Sequence, residues 1–386
     1  MKFAHLGDCH LGCWHHPQLE ELNLKNFAQA LEICIKEKVD LILISGDLFD
    51  SAYPSIETLK GAFAEFKKLK DSDIPCYIIA GSHDYSASGK TFLDVLEKAG
   101  FCKNVFNAEE KDGKIILNPV IEKNFAIYGY PGKKSSLEIP DLQRIKFQDA
   151  PGMFKIFMLH TSIDDAIGNL PIESIAINEL PKADYYALSH LHINYCKNNI
   201  VYSGPIFPAN FQELEELKCG SFYIVDVSDI INCKKVELKP KEVLIVELEI
   251  KDTLTATDKI ISELQEYNLK DKIILLKLKG ILTRGKISDI KFSDIENFAA
   301  KNGAYIILKN TSQLKTEEAE IEIEVSDMDK IEENIIQDYT KKTPHKFNEK
   351  ITQLLRALSI EKQEDEKNQV FQDRLIGELK KILNFE

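Results

Sequence analysis

Gly7-Asp8-Cys9-His10 follows a short apolar run, Lys2 to Leu6, that has the composition of a β-strand. Four later apolar runs of strand length also stop at Asp or His side chains. They are Leu41-Ile42-Leu43-Ile44-Ser45-Gly46-Asp47, Cys76-Tyr77-Ile78-Ile79-Ala80-Gly81-Ser82-His83-Asp84, Ile156-Phe157-Met158-Leu159-His160 and Tyr185-Tyr186-Ala187-Leu188-Ser189-His190-Leu191-His192. Five runs that end in this way point to one site at the ends of strands.

The polar residues at these strand ends are of the types that bind transition metals. Carboxylates and imidazoles directed into one pocket suit Mn, Fe or Zn better than Mg or Ca. An Asp shared between two ions about 3.5–4 Å apart allows them to clamp a phosphate and to activate a water. The pattern therefore predicts a site for two metal ions with mixed oxygen and nitrogen ligands.

The composition indicates a globular protein of two to three domains. The chain has 386 residues, of which 44% are hydrophobic and 29% are charged, enough for real cores and for a soluble surface. A net charge of −13 argues against a generally basic nucleic-acid binder. It leaves room for a local basic groove or for phosphate binding through metal ions.

Cysteine usage and hydropathy favour a reduced, cytoplasmic protein. The eight cysteines lack the spacing of a disulfide framework, and Met1-Lys2 runs straight into the first strand without a signal peptide. No apolar run approaches the ~18–20 residues that a membrane span needs. Cys9 and Cys13 have no second cysteine pair to accompany them, so a structural role is favoured over a zinc site.

Residues 1–240 alternate between strands and helices and then become rich in strands. An amphipathic helix carrying Phe27 and Leu31 returns the chain to a second, parallel strand, and Ser55 can cap the next helix. Parallel strands joined in this way place their carboxyl ends on one edge, where open α/β sheets bind ligands. From Ile115 to Leu238 strands dominate, with one helix expected near Leu142. Two sheets packed as a sandwich inside flanking helices fit this pattern.

Three segments are predicted after this first domain. Residues 241–325 form a smaller α+β domain without His or Cys, which would shape access to the site or bind substrate. Residues 326–347 form a charged linker, and residues 348–386 carry two amphipathic helices. The apolar stripes of these helices consist of Ile351, Leu354, Leu355 and Leu358, and of Phe371, Leu375, Leu379 and Ile382. Because two such helices have little mass for a core of their own, we expect them to dock on a partner or on this protein.

The motifs occur in the order Asp8-x-His10, Gly46-Asp47, Gly81-x-His83-Asp84, His160 and Ser189-His190-x-His192. This order resembles the calcineurin-like metallophosphoesterase superfamily, and most of all its DNA-repair branch, the Mre11-type nucleases that work with the ATPase Rad50. The resemblance implies an α/β fold with a metallophosphoesterase β-sandwich flanked by helices. It also implies a smaller α+β capping domain that binds DNA and a C-terminal helix pair that binds a Rad50-like ATPase.

Carried over by position, the resemblance implies two ligand sets that share Asp47. One Mn²⁺ ion would be held by Asp8, His10, Asp47 and His192, and the other by Asp47, Ser82, His160 and His190. His83 would act beside the ions, by stabilising the phosphate transition state or by protonating the leaving oxygen. DNA ends as substrate, a homodimer through helices near residues 55–70 and 91–98, and a nucleoid-associated location are also implied.

Two positions depart from the family pattern. The family usually has Asn where this chain has Ser82, and a neutral hydroxyl is a shorter and poorer ligand than an amide oxygen, so we expect the second ion to be held more weakly. Many members have His where Asp50 stands here, which leaves the polarity of cleavage and the balance of exonuclease and endonuclease activity open.

Other interpretations remain at this point. A different phosphoesterase that acts on small nucleotides is one alternative, and a scaffold that binds DNA ends but barely cuts them is another. Taken singly, a strand-end Asp or His is more often a turn or cap residue than a ligand. His15 and His16 lie in a loop near the site, and both substrate contact and a solvated loop fit them. His5 is expected to be a packed strand residue, and His345 a linker residue. Gly81 and Gly204 are expected to serve tight turns beside the site.

Overall fold

The computed structural model describes residues 1–86, 89, 91–168, 171–316, 348–358, 360 and 368–383. The chain divides into two compact units, Met1–Leu314 and Lys315–Glu386. We call residues 1–238 the sandwich region and residues 242–314 the accessory region. Since the predicted boundary after residue 240 lies inside the first unit, the proposed division into domains stays a prediction.

The sandwich region contains the strands and helices that carry the predicted site. Its strands are β1 Lys2–Leu6, β2 Leu41–Ile44, β3 Cys76–Ile78, β4 Lys103–Asn104, β5 Ala108–Lys111, β6 Lys114–Leu117, β7 Val120–Glu122, β8 Phe125–Tyr130, β9 Ile145–Phe147, β10 Phe154–His160, β11 Tyr185–Ser189, β12 Asn194–Lys197, β13 Ile200–Ser203, β14 Gly220–Asp226 and β15 Asn232–Leu238. Its helices are α1 Pro17–Lys36, α2 Ile56–Asp71, α3 Leu93–Lys98, α4 Ile139–Leu142, α5 Asp164–Ile167 and α6 Phe211–Leu217.

Two six-stranded sheets form the predicted sandwich. Their strand orders are β15-β14-β1-β2-β3-β4 and β12-β13-β11-β10-β8-β7, and a small sheet, β5-β6-β9, lies beside them. Strands β1 to β4 are parallel, as are β8, β10, β11 and β13. One apolar cluster joins the facing sides of the two sheets, for example through Phe3, Leu43, Ile127 and Met158. The predicted fold class is therefore confirmed.

Helices cover the outer face of the first sheet, which explains why its strands are apolar on both sides. Helix α1 buries Phe27 and helix α2 buries Phe66 against strand residues such as Ile42. The predicted cap is present, because the Ser55 side chain accepts a hydrogen bond from the backbone N–H of Thr58 at the start of α2.

The single helix expected in the second half of the sandwich is accompanied by two more. Helix α4 lies at the predicted place, but α5 and α6 were not expected. Both are too short, at four and seven residues, for a 3.6-residue periodicity to show in the sequence. Helix α6 is nevertheless capped at its start, because the Asn210 side chain accepts a hydrogen bond from the N–H of Glu213.

The accessory region contains both strands and helices and has its own apolar core. It consists of β16 Glu242–Glu249, α7 Thr253–Gln265, β17 Lys272–Leu282, α8 Phe292–Lys301 and β18 Ile306–Thr316. Helix α7 begins at Thr253, because the Asp252 side chain caps it by accepting a hydrogen bond from the N–H of Leu254. Core residues include Val246, Ile260 and Leu276.

The accessory region packs directly on the sandwich region through a shared apolar cluster. Its members are Leu19, Leu22, Phe207 and Leu214 from the sandwich, and Ile273, Leu275 and Leu308 from the accessory strands. An ion pair adds to this contact, with Lys277 Nζ 2.6 Å from Glu215 Oε1 on α6. Helix α6 is therefore held from the accessory side.

The second unit contains the two predicted amphipathic helices, α9 Ile351–Leu358 and α10 Asn368–Leu383. They contact each other, and Lys350 Nζ donates a 2.7 Å hydrogen bond to the carbonyl of Ile382. The predicted linker and His345 lie outside the described residues. Among the helices that the structure describes, none is long and apolar enough to cross a membrane.

Candidate metal centre

The predicted ligands meet at the carboxyl ends of the central strands of both sheets. Asp8 and His10 follow β1, Asp47 follows β2, His160 ends β10, and His190 and His192 follow β11. The registers Leu6 with Ile44 and His160 with Ser189 bring these ends level. The sheets also approach closely here, since a Cβ at Gly7 would lie 2.7 Å from Ser189 Cβ.

Five of these residues have left-handed backbone conformations that residues other than glycine rarely adopt. Their φ angles are 47° for Asp8, 42° for His10, 49° for Asp47, 108° for His190 and 52° for His192. Such conformations cost free energy and persist where the surroundings impose them, which is common at functional sites. The sharp turns direct successive polar side chains from one strand end toward one point.

Backbone hydrogen bonds and close packing hold these turns. The N–H of Asp8 donates to the carbonyl of Gly46 at 3.1 Å, and the N–H of His190 donates to both oxygens of Asp8 at 3.0 and 3.1 Å. Gly204 has the expected turn conformation, with φ of 71°. Gly81 serves close approach instead, because a Cβ there would lie 2.2 Å from Asp47 Oδ1.

Asp8, His10 and His192 bring their ligand atoms together on one side of Asp47. His10 Nε2 lies 2.9 Å from His192 Nε2 and 3.6 Å from Asp47 Oδ2. His192 Nε2 lies 3.9 Å from Asp8 Oδ1. These are separations that donors to a common ion can have, and the set combines two imidazoles with carboxylate oxygens.

A second set meets on the other side of Asp47. His160 Nε2 lies 3.2 Å from Asp47 Oδ2 and 3.2 Å from His190 Nδ1. The hydroxyl of Ser82 is at 3.5 Å from the same Asp47 oxygen. Since Asp47 Oδ2 is close to both sets, this carboxylate occupies the position that a bridging ligand needs, and the donors fit a pair of borderline transition-metal ions.

The electrostatics of the cluster fit the binding of cations. Burial alone would raise the pKa of Asp47, but the charge and hydrogen bond of His160, the charge of His10 and the backbone N–H of His83 lower it well below its usual range. Burial opposes protonation of His160 and His192, yet the nearby carboxylates raise the pKa of each to about 9. Burial and the neighbouring His160 lower the pKa of His190 to about 4. The buried carboxylates therefore stabilise positive charge at the centre of the cluster.

Several side chains fix the histidine rings from behind. His10 Nδ1 lies 3.0 Å from Asp50 Oδ1, His160 Nδ1 lies 2.8 Å from Ser189 Oγ, and His192 Nδ1 lies 2.9 Å from Glu213 Oε1. The motif pattern marks Asp50 only as a departure from the family and gives no sign of Glu213. The spacing of Asn210 and Glu213 resembles the capping signature of a helix start, a signal that could have located α6.

Asp84 is a further buried residue that the sequence analysis left without a role. Its carboxylate accepts hydrogen bonds from the N–H groups of Phe49 at 3.1 Å and Gly81 at 2.9 Å. Burial and the nearby Asp47 raise its pKa to about 6. Asp84 thereby ties the turn after β2 to the turn after β3, and so fixes Asp47.

His83 lies at the open side of the cluster, where its ring forms a further group of possible metal ligands with His10 and Asp50. Its backbone N–H donates to Asp47 Oδ1 at 2.8 Å, and its ring Nδ1 donates to the carbonyl of Asp50 at 2.8 Å. The side chain is 48% exposed. A cleft of about 520 Å³ adjoins it and is lined by Tyr53, Lys134 and His190, among others. This arrangement leaves Nε2 available for proton transfer to a molecule in the cleft.

Comparison with known proteins agrees with this geometry. The family described as calcineurin-like phosphoesterase matches residues 1–194, and the chain therefore belongs to that family and is a metal-dependent phosphodiesterase. A DNA double-strand break repair protein Mre11 of Methanocaldococcus jannaschii is 31% identical, with 65% of this chain and 70% of that protein covered. The Mre11 protein of Saccharolobus solfataricus is 28% identical, with 70% and 73% covered.

A bacterial relative shares the same domain. The uncharacterized metallophosphoesterase YhaO of Bacillus subtilis is 27% identical, with 59% of this chain and 58% of that protein covered. The similarity to the Mre11 proteins of several archaea confirms the resemblance to Mre11-type proteins seen in the motifs.

Proposed function

We propose that this protein is a manganese-dependent nuclease that processes the ends of double-strand breaks in DNA. The observation that carries the proposal is the shared carboxylate, Asp47, between two sets of imidazole and carboxylate donors. It is supported by the similarity over most of the chain to proteins named for DNA double-strand break repair. We propose both exonuclease and endonuclease activity for this site.

Two manganese ions are proposed as the cofactors. One would be held by Asp8, His10, Asp47 and His192, and the other by Asp47, Ser82, His160 and His190. When bound, such ions neutralise phosphate charge and lower the pKa of a water that attacks phosphorus. Because Ser82 offers a neutral hydroxyl instead of an amide oxygen, we propose that the second site is the weaker one.

The chain's own residues have separate tasks in this mechanism. Asp47 keeps the two donor sets at a fixed separation, while Asp84 and the closely packed Gly81 hold Asp47 in place. His83 donates a proton from Nε2 to the leaving oxygen or stabilises the charge that develops on the phosphate. Lys134 and the exposed Tyr53, both lining the cleft, offer a cation for the backbone and a ring for base stacking.

A comparison of substrates tests the function. The full-length protein is assayed with Mn²⁺ on linear and closed circular DNA, on bis-p-nitrophenyl phosphate and on cyclic nucleotides. The proposal predicts metal-dependent cutting of DNA, with ends preferred over closed circles. Turnover of cyclic nucleotides without DNA cleavage would favour the small-nucleotide alternative, and DNA binding without cleavage at saturating Mn²⁺ would favour the scaffold.

Partners are proposed on the same grounds. The stripes on α9 and α10 would bind a Rad50-like ATPase, and a protein lacking residues 348–386 should fail to co-purify with it while keeping its basal activity. Unfolding of the truncated protein would contradict this role.

Exposed apolar side chains on α2 and α3, such as Ile56 at 75% and Val95 at 46% exposure, support a homodimer surface there. DNA ends as substrate also imply a cytoplasmic, nucleoid-associated location.

A further inference from the structure

Helix α6 links the metal centre to the accessory region through neighbouring glutamates. Glu213 is directed toward the centre, where its Oε1 lies 2.9 Å from His192 Nδ1. Glu215, two residues later, is 2.6 Å from Lys277 Nζ on β17. Between them Leu214 is fully buried in the cluster shared with the accessory strands. One short helix therefore contacts both a proposed ligand and a second region.

The carboxylate of Glu213 is held firmly at its position. Its Oε2 accepts a 2.8 Å hydrogen bond from the N–H of Ala209, and its Oε1 accepts one of 2.6 Å from Asn210 Nδ2. The loop before the helix is fixed as well, since Trp14 Nε1 donates to the carbonyl of Pro208 at 2.9 Å. Only 15% of the Glu213 side chain is exposed. Because these contacts restrict the Glu213 carboxylate to one position, it holds the ring of His192 in one orientation.

The partly exposed ring of His192 is held in place by this contact with Glu213. His192 lies in a left-handed turn after the end of β11, with φ of 52°, and its side chain is 22% exposed. The proposed metal-binding atom is Nε2, which leaves Nδ1 to carry the ring proton. A carboxylate that accepts this proton fixes both the tautomer and the orientation of the ring and makes Nε2 a better donor.

We propose that Glu213 is a positioning residue that fixes the ring of His192 for metal binding. The packing of α6 on the accessory region keeps this glutamate in register with the site. The inference rests on the proposed role of His192 as a ligand, and it gives α6 a function that the helix itself does not reveal.

Metal affinity of full-length variants tests the inference. Glu213→Ala should weaken the binding of one of two Mn²⁺ ions about 10- to 100-fold, the range typical of losing such a partner, as measured by titration calorimetry. Glu213→Gln keeps a neutral acceptor and should lose about tenfold or less, and it serves as the test if the alanine variant does not fold. Asn210→Ala is the comparison variant, because it removes the helix cap and one hydrogen bond to Glu213 but leaves the carboxylate and its bond to the N–H of Ala209. Its loss of affinity should therefore be smaller than that of Glu213→Ala.

A readout without metal separates this inference from the proposed function. In metal-free protein, histidine-labelled NMR should show one hydrogen-bonded ring Nδ1–H that disappears in Glu213→Ala and persists in Asn210→Ala. Unchanged affinity in both Glu213 variants would overturn the proposal, as would equal losses in Glu213→Ala and Asn210→Ala, since the role would then be helix capping. Wild-type protein that binds Mn²⁺ and keeps this proton but cuts no DNA would overturn the proposed function alone.

Discussion

The sandwich and accessory regions differ in the kinds of side chain that they bury. In the part of the chain that the structure describes, the buried polar and charged side chains belong to the sandwich region, except for Thr253. Asp8, Asp47, Asp84 and His160 lie at 1% exposure or less. The accessory region has an apolar core instead, and its ion pairs are on the surface, as between Lys309 and Glu296. The sandwich concentrates charges that cost stability, while the accessory region contributes ordinary apolar packing.

Among variants that keep their metal, the largest loss of activity is expected at His83 in the sandwich region. His83→Ala should lower DNA cleavage by about 10²- to 10⁴-fold, because it removes a proton donor beside the scissile bond. Bound metal should be unchanged, since the ring hydrogen-bonds to the Asp50 carbonyl and not to either ligand set. Turnover and metal content are measured on the same sample, with His16→Ala at the exposed start of α1 as control. Metal loss in the His83 variant would identify His83 as a ligand.

An accessory-core substitution should have the opposite profile. Ile260→Ala opens a cavity in the apolar core of α7, where the side chain is 0% exposed, and should cost about 2–5 kcal/mol of unfolding free energy. The Mn²⁺ dependence of cleavage should stay as in the wild type at temperatures where the variant is folded. Ile281→Ala, at a side chain that is 56% exposed, is the control. A changed metal requirement in Ile260→Ala would mean that this core acts on the site.

Ser82 tests how uneven the two ion sites are. Ser82→Asn should lower the Mn²⁺ concentration needed for half-maximal cleavage about 10- to 100-fold, because an amide oxygen can reach an ion that the hydroxyl reaches poorly. Ser82→Ala is the converse variant and should change the requirement little. If the Asn variant needs as much Mn²⁺ as the wild type, the hydroxyl is an adequate ligand.

His5 gives the sandwich region a pH-dependent stability. The ring is fully buried between Tyr185 and Ser45, with both nitrogens 3.0 Å from a hydroxyl oxygen. Burial lowers the pKa of His5 from 6.5 to about 3, so the ring is neutral in the folded protein. The contribution of His5 to stability is complete above pH 6.5, the pKa of the ring in the unfolded chain. It declines as the pH falls toward about 3, the pKa of the ring in the folded protein. Between about pH 7.5 and pH 5 the wild type should lose on the order of 2 kcal/mol more than His5→Gln, as measured by urea unfolding of metal-free protein. Equal losses would mean that His5 is protonated in the folded state.

The place where the proposed ligands meet was predictable, because the apolar runs stop at these residues. A run such as Leu41–Ile44 identifies a buried strand, and the parallel connections place its end at the site. The supporting residues were not predictable in the same way. Glu213 reaches His192 because α6 packs on the accessory strands, and Asp84 reaches Phe49 across two turns. These contacts depend on how distant segments approach, which neither periodicity nor spacing encodes.

Manganese binding by Asp47→Ala tests the central claim, which is that one carboxylate serves two metal sites. Titration of metal-free protein with Mn²⁺ should give two ions per wild-type chain, the second more weakly held. Because Asp47 Oδ2 lies within 3.6 Å of His10 Nε2 and 3.2 Å of His160 Nε2, its removal should abolish most binding at both sites, and cleavage with it. Two ions bound by Asp47→Ala with wild-type affinity would contradict the shared site.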